Sequence, residues 1–304
     1  MKSRVLITGG AGLFALNFAI AKRKSHLITL GTHIREPVLA NTATRKLNLD
    51  SVDYLVQDLK LVKPSLLIHA AGLTNIEACE AYPEQAWHVN VTLAANVARA
   101  CKELALPLVH ISTDHLFSDN SAMANEQDQV APVNMYGLTK AEAEAQVQNA
   151  WDRALIIRTN FYGWGTRYRA SFSDLIINAL REGKRITLFK DVYYTPILIE
   201  FVADAILDLV DKMEFGVFNI VGDETISKYD FGMKLADKFN LDKRLIKAGM
   251  LEEKKDLTPR PHIMSLSNAK VSRVIGRRLG SVAEQLKKLH AQEQEGLAKE
   301  MQSL

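Results

Sequence analysis

Residues 5–15 read Val5-Leu6-Ile7-Thr8-Gly9-Gly10-Ala11-Gly12-Leu13-Phe14-Ala15. Four β-favouring residues run into a glycine-rich turn, and apolar residues at roughly helical spacing follow over 13–23. A short continuous apolar run reads as a buried strand, and the turn that leaves it opens a helix. Glycines at such a junction permit a tight turn. They also let the backbone approach a pyrophosphate seated on the helix N-terminus. The third small position is Ala15, whose methyl still permits close helix packing. The stretch predicts the first βα unit of a nucleotide-binding sheet, with Gly9 and Gly12 against the cofactor.

Outward from this unit, strands are expected over 26–30, 46–49, 65–69, 107–111 and 154–158. They alternate with helices over 51–62, 84–104 and 140–150, the first of these capped by Ser51 and stopped by Pro64. Alternation of this kind predicts an α/β fold, a doubly wound parallel sheet of the Rossmann type with helices on both faces. Beyond Phe161 the pattern loosens. Helices are expected over 200–213 and 227–239, a strand over 217–221, and a polar terminal helix from Ser281. The expected division is a cofactor-binding domain over 1–160, with about 197–221 returning to its sheet. A smaller C-terminal substrate lobe covers about 161–196 and 222–280, and the terminal helix fills 281–304. That helix reads as a surface element, with a homodimer contact as the alternative.

The chain has 304 residues, 47% hydrophobic and 24% charged, enough for a large core without staples. Lys and Arg exceed Asp and Glu by only +3, too little for a charge-driven nucleic-acid protein. Cys79 and Cys101 are the only cysteines, which excludes a disulfide framework and a Cys-based zinc site. The eight histidines form no His-x-x-x-His pair, so no metal is expected. No apolar run reaches the ~18 residues of a membrane span or the pattern of a signal peptide. A soluble cytoplasmic protein with no membrane or nucleic-acid partner is expected.

Three further stretches carry chemistry. After the second strand, NAD-selective sites usually place a carboxylate for the ribose 2′-hydroxyl. Here the residues are Leu30-Gly31-Thr32-His33-Ile34-Arg35, with no acid. His33 and Arg35 suit a 2′-phosphate, favouring NADP(H) over NAD(H), or else are solvated loop residues. Tyr136 and Lys140 stand four apart, on one helix face. An ammonium near a phenol lowers its pKa and would fit Tyr136 for general acid–base work. Ile111-Ser112-Thr113-Asp114-His115 ends a strand, where the Thr113 hydroxyl could meet a substrate carbonyl. Tyr162, Trp164, Tyr168, Tyr193 and Tyr194 could stack on a sugar or pack in the lobe, and His110 reads as packed.

Together these residues resemble the extended short-chain dehydrogenase/reductase superfamily. Thr8-Gly9-x-x-Gly12-x-x-Ala15, Ala70-Ala71-Gly72, Asn90, Ser112-Thr113-Asp114, Tyr136-xxx-Lys140 and Arg158-Thr159 fall in its order. Within it the chain is similar to the dTDP-4-dehydrorhamnose reductase family. His69 to Thr74, residues 111–117, Pro132-x-Asn134-x-Tyr136-Gly137-x-Thr139-Lys140 and Arg260-Pro261 carry that likeness. The resemblance implies NAD(P)H-dependent reduction of a 4-keto-6-deoxy sugar nucleotide. Thr113, Tyr136 and Lys140 would be the catalytic set: Thr113 orients the carbonyl, Tyr136 moves the proton, and Lys140 holds the ribose. Gly12, Leu13 and Phe14 would meet the pyrophosphate. Asn48 and Leu49 would sit at the adenine. Ala70, Ala71, Gly72, Leu73, Thr74 and Asn90 would line or support the cofactor. Asp114 and Phe161 would bind the sugar, Phe161 standing where the family has Trp.

The chain departs from relatives at His115, where the dehydratases carry Glu, so elimination of water is disfavoured. It departs again at Asp191-Val192-Tyr193-Tyr194-Thr195-Pro196, which lacks the family's glycines, and at His262-Ile263-Met264. Two other functions stay open. One is a nucleotide-sugar epimerase with tightly retained NAD. The other is a non-catalytic cofactor-binding subunit, like the methionine adenosyltransferase subunit related to this family.

Overall fold

A computed structural model describes residues 2–119 and 122–304. The elements of its first half are β1 (Arg4–Thr8), α1 (Leu13–Lys22), β2 (Leu27–Thr32), β3 (Thr42–Lys46), α2 (Val52–Val62), β4 (Leu66–His69), α3 (Ile76–Ala81), α4 (Pro83–Trp87), α5 (Leu93–Glu103), β5 (Leu108–Ile111), α6 (Met135–Ala150) and β6 (Leu155–Arg158). The second half adds β7 (Phe161–Tyr162), α7 (Phe172–Arg181), β8 (Ile186–Phe189), β9 (Tyr193–Tyr194), β10 (Ile197–Leu198), α8 (Ile199–Asp211), β11 (Gly216–Asn219), β12 (Ile226–Ser227), α9 (Lys228–Lys238), β13 (Ile246–Gly249), β14 (Ile263–Met264), α10 (Ala269–Ile275), α11 (Val282–Gln294) and α12 (Leu297–Ser303).

Seven strands form one sheet in the order β11-β6-β5-β4-β1-β2-β3, and every neighbouring pair is parallel. Parallel strands need crossover connections, and all but the β2–β3 loop carry helices, which cover both faces. The two-residue alternation of side chains sorts them. Val5, Ile7, Ile68 and Ile157 pack with Phe14 and Phe18 of α1 and Val202 of α8. Leu6, Leu67 and Ile156 pack on the other face with Leu55 of α2, Val97 of α5 and Val147 of α6. The strand order reverses at β1, between β2 and β4, which opens a crevice beyond the strand C-termini.

Local chemistry sets the boundaries. The Ser51 hydroxyl accepts Tyr54 N–H at the start of α2, and Lys63 ends that helix in the left-handed region before Pro64. Four expected elements differ. Helix α6 starts at Met135 under the Asn134 cap, five residues before the expected Lys140. The third strand lies at Thr42–Lys46, not 46–49, because β3 is an edge strand of Thr, Ala and Arg with no apolar run. Its neighbour Leu47 instead plugs the space beside Gly31, where a Cβ would meet Leu47 Cδ1 at 2.4 Å. The single helix expected over 84–104 is broken by a π-turn at His88–Thr92 between α4 and α5. The terminal helix breaks at Gly296, whose φ is +85°.

The remaining strands make three small sheets, β7 with β10, β9 between β12 and β14, and β8 with β13. The terminal helices are more than a surface coat. Val282, Leu286, Leu289 and Met301 are buried in the same core as α1 and α8. No helix among the described residues is long and apolar enough to cross a membrane.

Candidate active site

Beyond the C-terminal ends of β1, β4 and β5 lies a cleft of roughly 710 Å³, lined by the glycine turn, Thr32 to Arg35, Ala70 to Gly72, Thr74 and Ser112 to His115. Tyr136, Asn160, Phe161, Tyr168 and Arg169 close its far side. This volume falls within the range of small-molecule and cofactor sites. Gly9 adopts φ +68°, and a Cβ there would lie 2.8 Å from Ala71 N and 2.9 Å from Ala70 O. The turn therefore presses directly on the strand-end loop. At Gly12, the N-cap of α1, no side chain caps the helix. The first amides of α1 are left to whatever occupies the cleft, and they favour an anion. A dinucleotide's pyrophosphate fits this cradle in both space and charge.

Arg35 and Arg169 bring cations to the cleft, with the His33 ring beside them, and its one carboxylate among the described residues is Asp114. Asp114 is buried and anchored. Asn160 donates to its Oδ2, and the Thr113 hydroxyl reaches its Oδ1 at 3.3 Å. The first turn of α6 is drawn onto this strand end by a glycine. A Cβ at Gly137 would lie 2.3 Å from His115 O. Asn134 fixes the turn by accepting Gly137 N–H at 2.9 Å and donating to Pro259 O at 3.0 Å. Tyr136 is thereby buried beside Thr113, with the His115 ring edge-on at 5.6 Å.

Burial pushes the Tyr136 phenol up to about 12, while the Thr113 hydroxyl and the Arg169 charge pull it back. This overturns the expectation that Lys140 would lower it. Lys140 Nζ turns under β5, donating to Ile111 O at 2.7 Å and lying 3.3 Å from His110 Nε2. Burial holds Lys140 down at about 8, with Glu144 opposing.

Behind Lys140 a buried polar file crosses the sheet. Ala70 N and Ala71 N both donate to Thr8 Oγ1, so the Thr8 proton goes to His69 Nδ1, 2.8 Å away. The His69 and His110 rings stack with centroids 5.4 Å apart. Burial takes His69 to about 3 and His110 well below its usual value, with the Lys140 charge adding to both shifts. Both rings stay neutral. His110 is thus packed, as expected, and it also faces the Lys140 ammonium.

The other expected site residues separate into groups. Gly9, Gly12, Leu13, Phe14, His33, Arg35, Ala70, Ala71, Gly72, Thr74, Thr113, Asp114, Tyr136 and Phe161 all line the cleft. Asn48, Leu49, Leu73, Asn90 and Lys140 do not. Asn48 is exposed and its Oδ1 accepts Asp50 N–H, while Leu49 leans on the α2–α5 core. Asn90 acts one step behind the cleft. Its amide bonds both backbone atoms of Leu73 and donates to Thr139 Oγ1. The π-turn aims it there, a common use of such turns at functional sites. Of the candidate sugar-stacking aromatics, Tyr162, Trp164 and Tyr194 are core residues, Tyr193 lies on a strand, and Tyr168 alone lines the cleft. Asn160 and Arg169 carried no motif. Their one sequence signal is that Asn160 follows the C-terminal end of a strand.

The family model described as RmlD substrate binding domain matches residues 3–295. The chain belongs to that family. Among curated proteins similar to this chain, a probable low-salt glycan biosynthesis reductase, Agl14 of Haloferax volcanii, is 27% identical over 276 residues, 89% of this chain and 91% of that protein. Methionine adenosyltransferase 2 subunit beta of Mus musculus is 26% identical over 245 residues, 78% of this chain and 72% of that one. The fold matches a dTDP-4-dehydrorhamnose reductase from Bacillus anthracis, solved in complex with NADP. The TM-score is 0.84 at 23% identity, covering 96% of this chain and all of that one.

Proposed function

We propose that this RmlD-family chain is an NAD(P)H-dependent reductase of a 4-keto-6-deoxy sugar nucleotide, with NADP(H) preferred. The observation that carries the reading is the meeting of Thr113 and Tyr136 in the cleft that holds the glycine turn. The cofactor would supply hydride to the carbonyl carbon. Gly9, Gly12 and the α1 amides would hold its pyrophosphate, and Arg35 with His33 would hold its 2′-phosphate. Thr113 turns its hydroxyl to the substrate oxygen and orients it. Tyr136, held protonated by burial, donates the proton that this oxygen takes up. Lys140 holds a positive charge beneath the site, steadying charge that develops on the oxygen. Asp114, fixed by Asn160, presents an acceptor to a sugar hydroxyl, and Phe161 offers an apolar ring. In this reading residues 1–160 with about 197–221 bind the cofactor, and about 161–196 with 222–280 bind the sugar.

The names of the Haloferax reductase and the Bacillus reductase support this reading. The likeness to the methionine adenosyltransferase subunit supports a second one, a cofactor-binding regulatory subunit. Adding keto-sugar nucleotides to protein with NADPH separates them. Oxidation of NADPH is expected with at least one 4-keto-6-deoxy sugar. Cofactor binding without oxidation on any sugar would transfer the site to the regulatory reading. An epimerase would instead retain its cofactor through purification and show no net oxidation.

A further inference from the structure

A second tyrosine of the cleft comes from outside the sheet. The segment between β7 and α7 makes a tight turn, with Thr166 and Arg169 exchanging backbone hydrogen bonds of 3.0 and 3.1 Å. This turn spans the cleft and is fastened on both banks. The Tyr168 hydroxyl donates to Ala11 O, within the glycine turn, at 3.0 Å. Arg169 donates to Thr74 Oγ1 at 2.7 Å. The base of the turn is equally fixed. Gly165 N–H donates to the Asp174 carboxylate of the α7 capping box, and Gln302 of α12 donates to Gly165 O.

Arg35 lies on this turn. Its guanidinium carbon sits 4.0 Å from the centroid of the Tyr168 ring, and no carboxylate pairs with it among the described residues. A guanidinium stacked by its face keeps its in-plane N–H donors free. Those donors match a phosphate in a forked pair. An unstacked arginine on an exposed loop would have to lose much side-chain freedom to make the same contact.

We propose that Tyr168 is a specificity-determining positioning residue: its ring holds Arg35 ready for the 2′-phosphate of NADP(H), so the second lobe helps to choose the cofactor. The proposal rests on the nicotinamide reading above. It assigns Tyr168 two separable contacts. The ring orders Arg35 and serves only a cofactor that carries the 2′-phosphate. The hydroxyl ties the turn to Ala11 and serves NADPH and NADH alike.

The experiment is fluorescence titration of the full chain with NADPH and NADH, for wild type, Tyr168→Phe, Tyr168→Ala, Arg35→Ala and the Tyr168→Ala/Arg35→Ala pair. Wild type is expected to bind NADPH more tightly. Tyr168→Ala is expected to bind NADPH about three- to tenfold more weakly than Tyr168→Phe does, the scale of one cation–π contact, while the two variants share the same NADH affinity within about twofold. Tyr168→Phe keeps the ring and should keep the wild-type ratio. In the Arg35→Ala background Tyr168→Ala should leave the ratio unchanged. Equal weakening of both cofactors by Tyr168→Ala would overturn the proposal, as would a lost preference in Tyr168→Phe. A wild type that prefers NADH overturns the role of Arg35 and Tyr168 but leaves the nicotinamide reading standing. A wild type that binds neither cofactor overturns both.

Discussion

Burial acts in opposite directions on the two titratable groups of α6. It keeps the Tyr136 phenol protonated far above neutrality, at about 12, and it brings the Lys140 ammonium down to about 8. The charged groups facing Lys140 are few. Glu144 on α6 favours its charge, Arg158 on β6 is occupied by Glu144, and His69 and His110 are neutral. If Lys140 works as a cation, kcat/KM should hold level below pH 8 and fall above it, by about tenfold per unit. Tyr136 would not limit the rate until well above that. A pH–rate profile level to pH 10 would remove Lys140 from the charged role. Thr113, Tyr136 and the glycines were legible in the sequence because each occupies a motif whose spacing has a geometric meaning. The direction of the Tyr136 shift was not, because it depends on which way the Lys140 chain turns. Tyr168 and Arg169 were not placed either. They reach the cleft from a turn tied down by Ala11, Thr74 and Gln302, all distant in sequence.

Helix α6 and strand β6 are joined by one buried ion pair. Arg158 Nε reaches both Glu144 oxygens at 3.1 Å and Nη2 reaches Oε2 at 2.7 Å, with both side chains under 10% exposed. Removing one member leaves the other charged in a dry site. Glu144→Ala is expected to cost about 3–5 kcal/mol in urea unfolding. A loss under about 1 kcal/mol would mean that water reaches Arg158. At this scale the capped starts at Ser51 and Ser227 were read within a residue, while α7, with its Ser171–Asp174 capping box, was not read and α6 was expected five residues late despite its Asn134 cap. The edge strand β3 and the π-turn were misplaced for opposite reasons. The strand has no apolar run to mark it. The turn has continuous helical character to hide it, and only the Asn90 bonds to Leu73 and Thr139 reveal its purpose.

The terminal helices bind the molecule together. Gln285 of α11 accepts Leu198 N–H and donates to Leu279 O, both bonds buried, and donates to the half-buried Gly280 O. Glu300 of α12 accepts both Arg23 guanidinium nitrogens from the end of α1. Val282, Leu286, Leu289 and Met301 add four buried apolar side chains, together about 6–12 kcal/mol at ~1.5–3 kcal/mol each. That matches the whole net stability of an ordinary domain, about 5–15 kcal/mol. A chain ending at residue 280 should therefore lose its cooperative thermal transition and bind a hydrophobic dye. A truncated chain that unfolds like the full one would show these helices to be ornament. The polar composition after Ser281 suggested a surface element because the buried face of α11 has only three apolar residues, Val282, Leu286 and Leu289, beside buried Gln285 and Gln292, and Gly296 divides the segment.

In the proposed reaction the Tyr136 phenol delivers a proton to a substrate oxygen. Tyr136→Phe removes a single oxygen and keeps the ring in its pocket. Measured beside wild type, it should bind NADPH with nearly the same affinity and lose turnover by about 10²–10⁴-fold on any sugar that wild type reduces. Turnover surviving near the wild-type level, with cofactor affinity intact, would contradict the account.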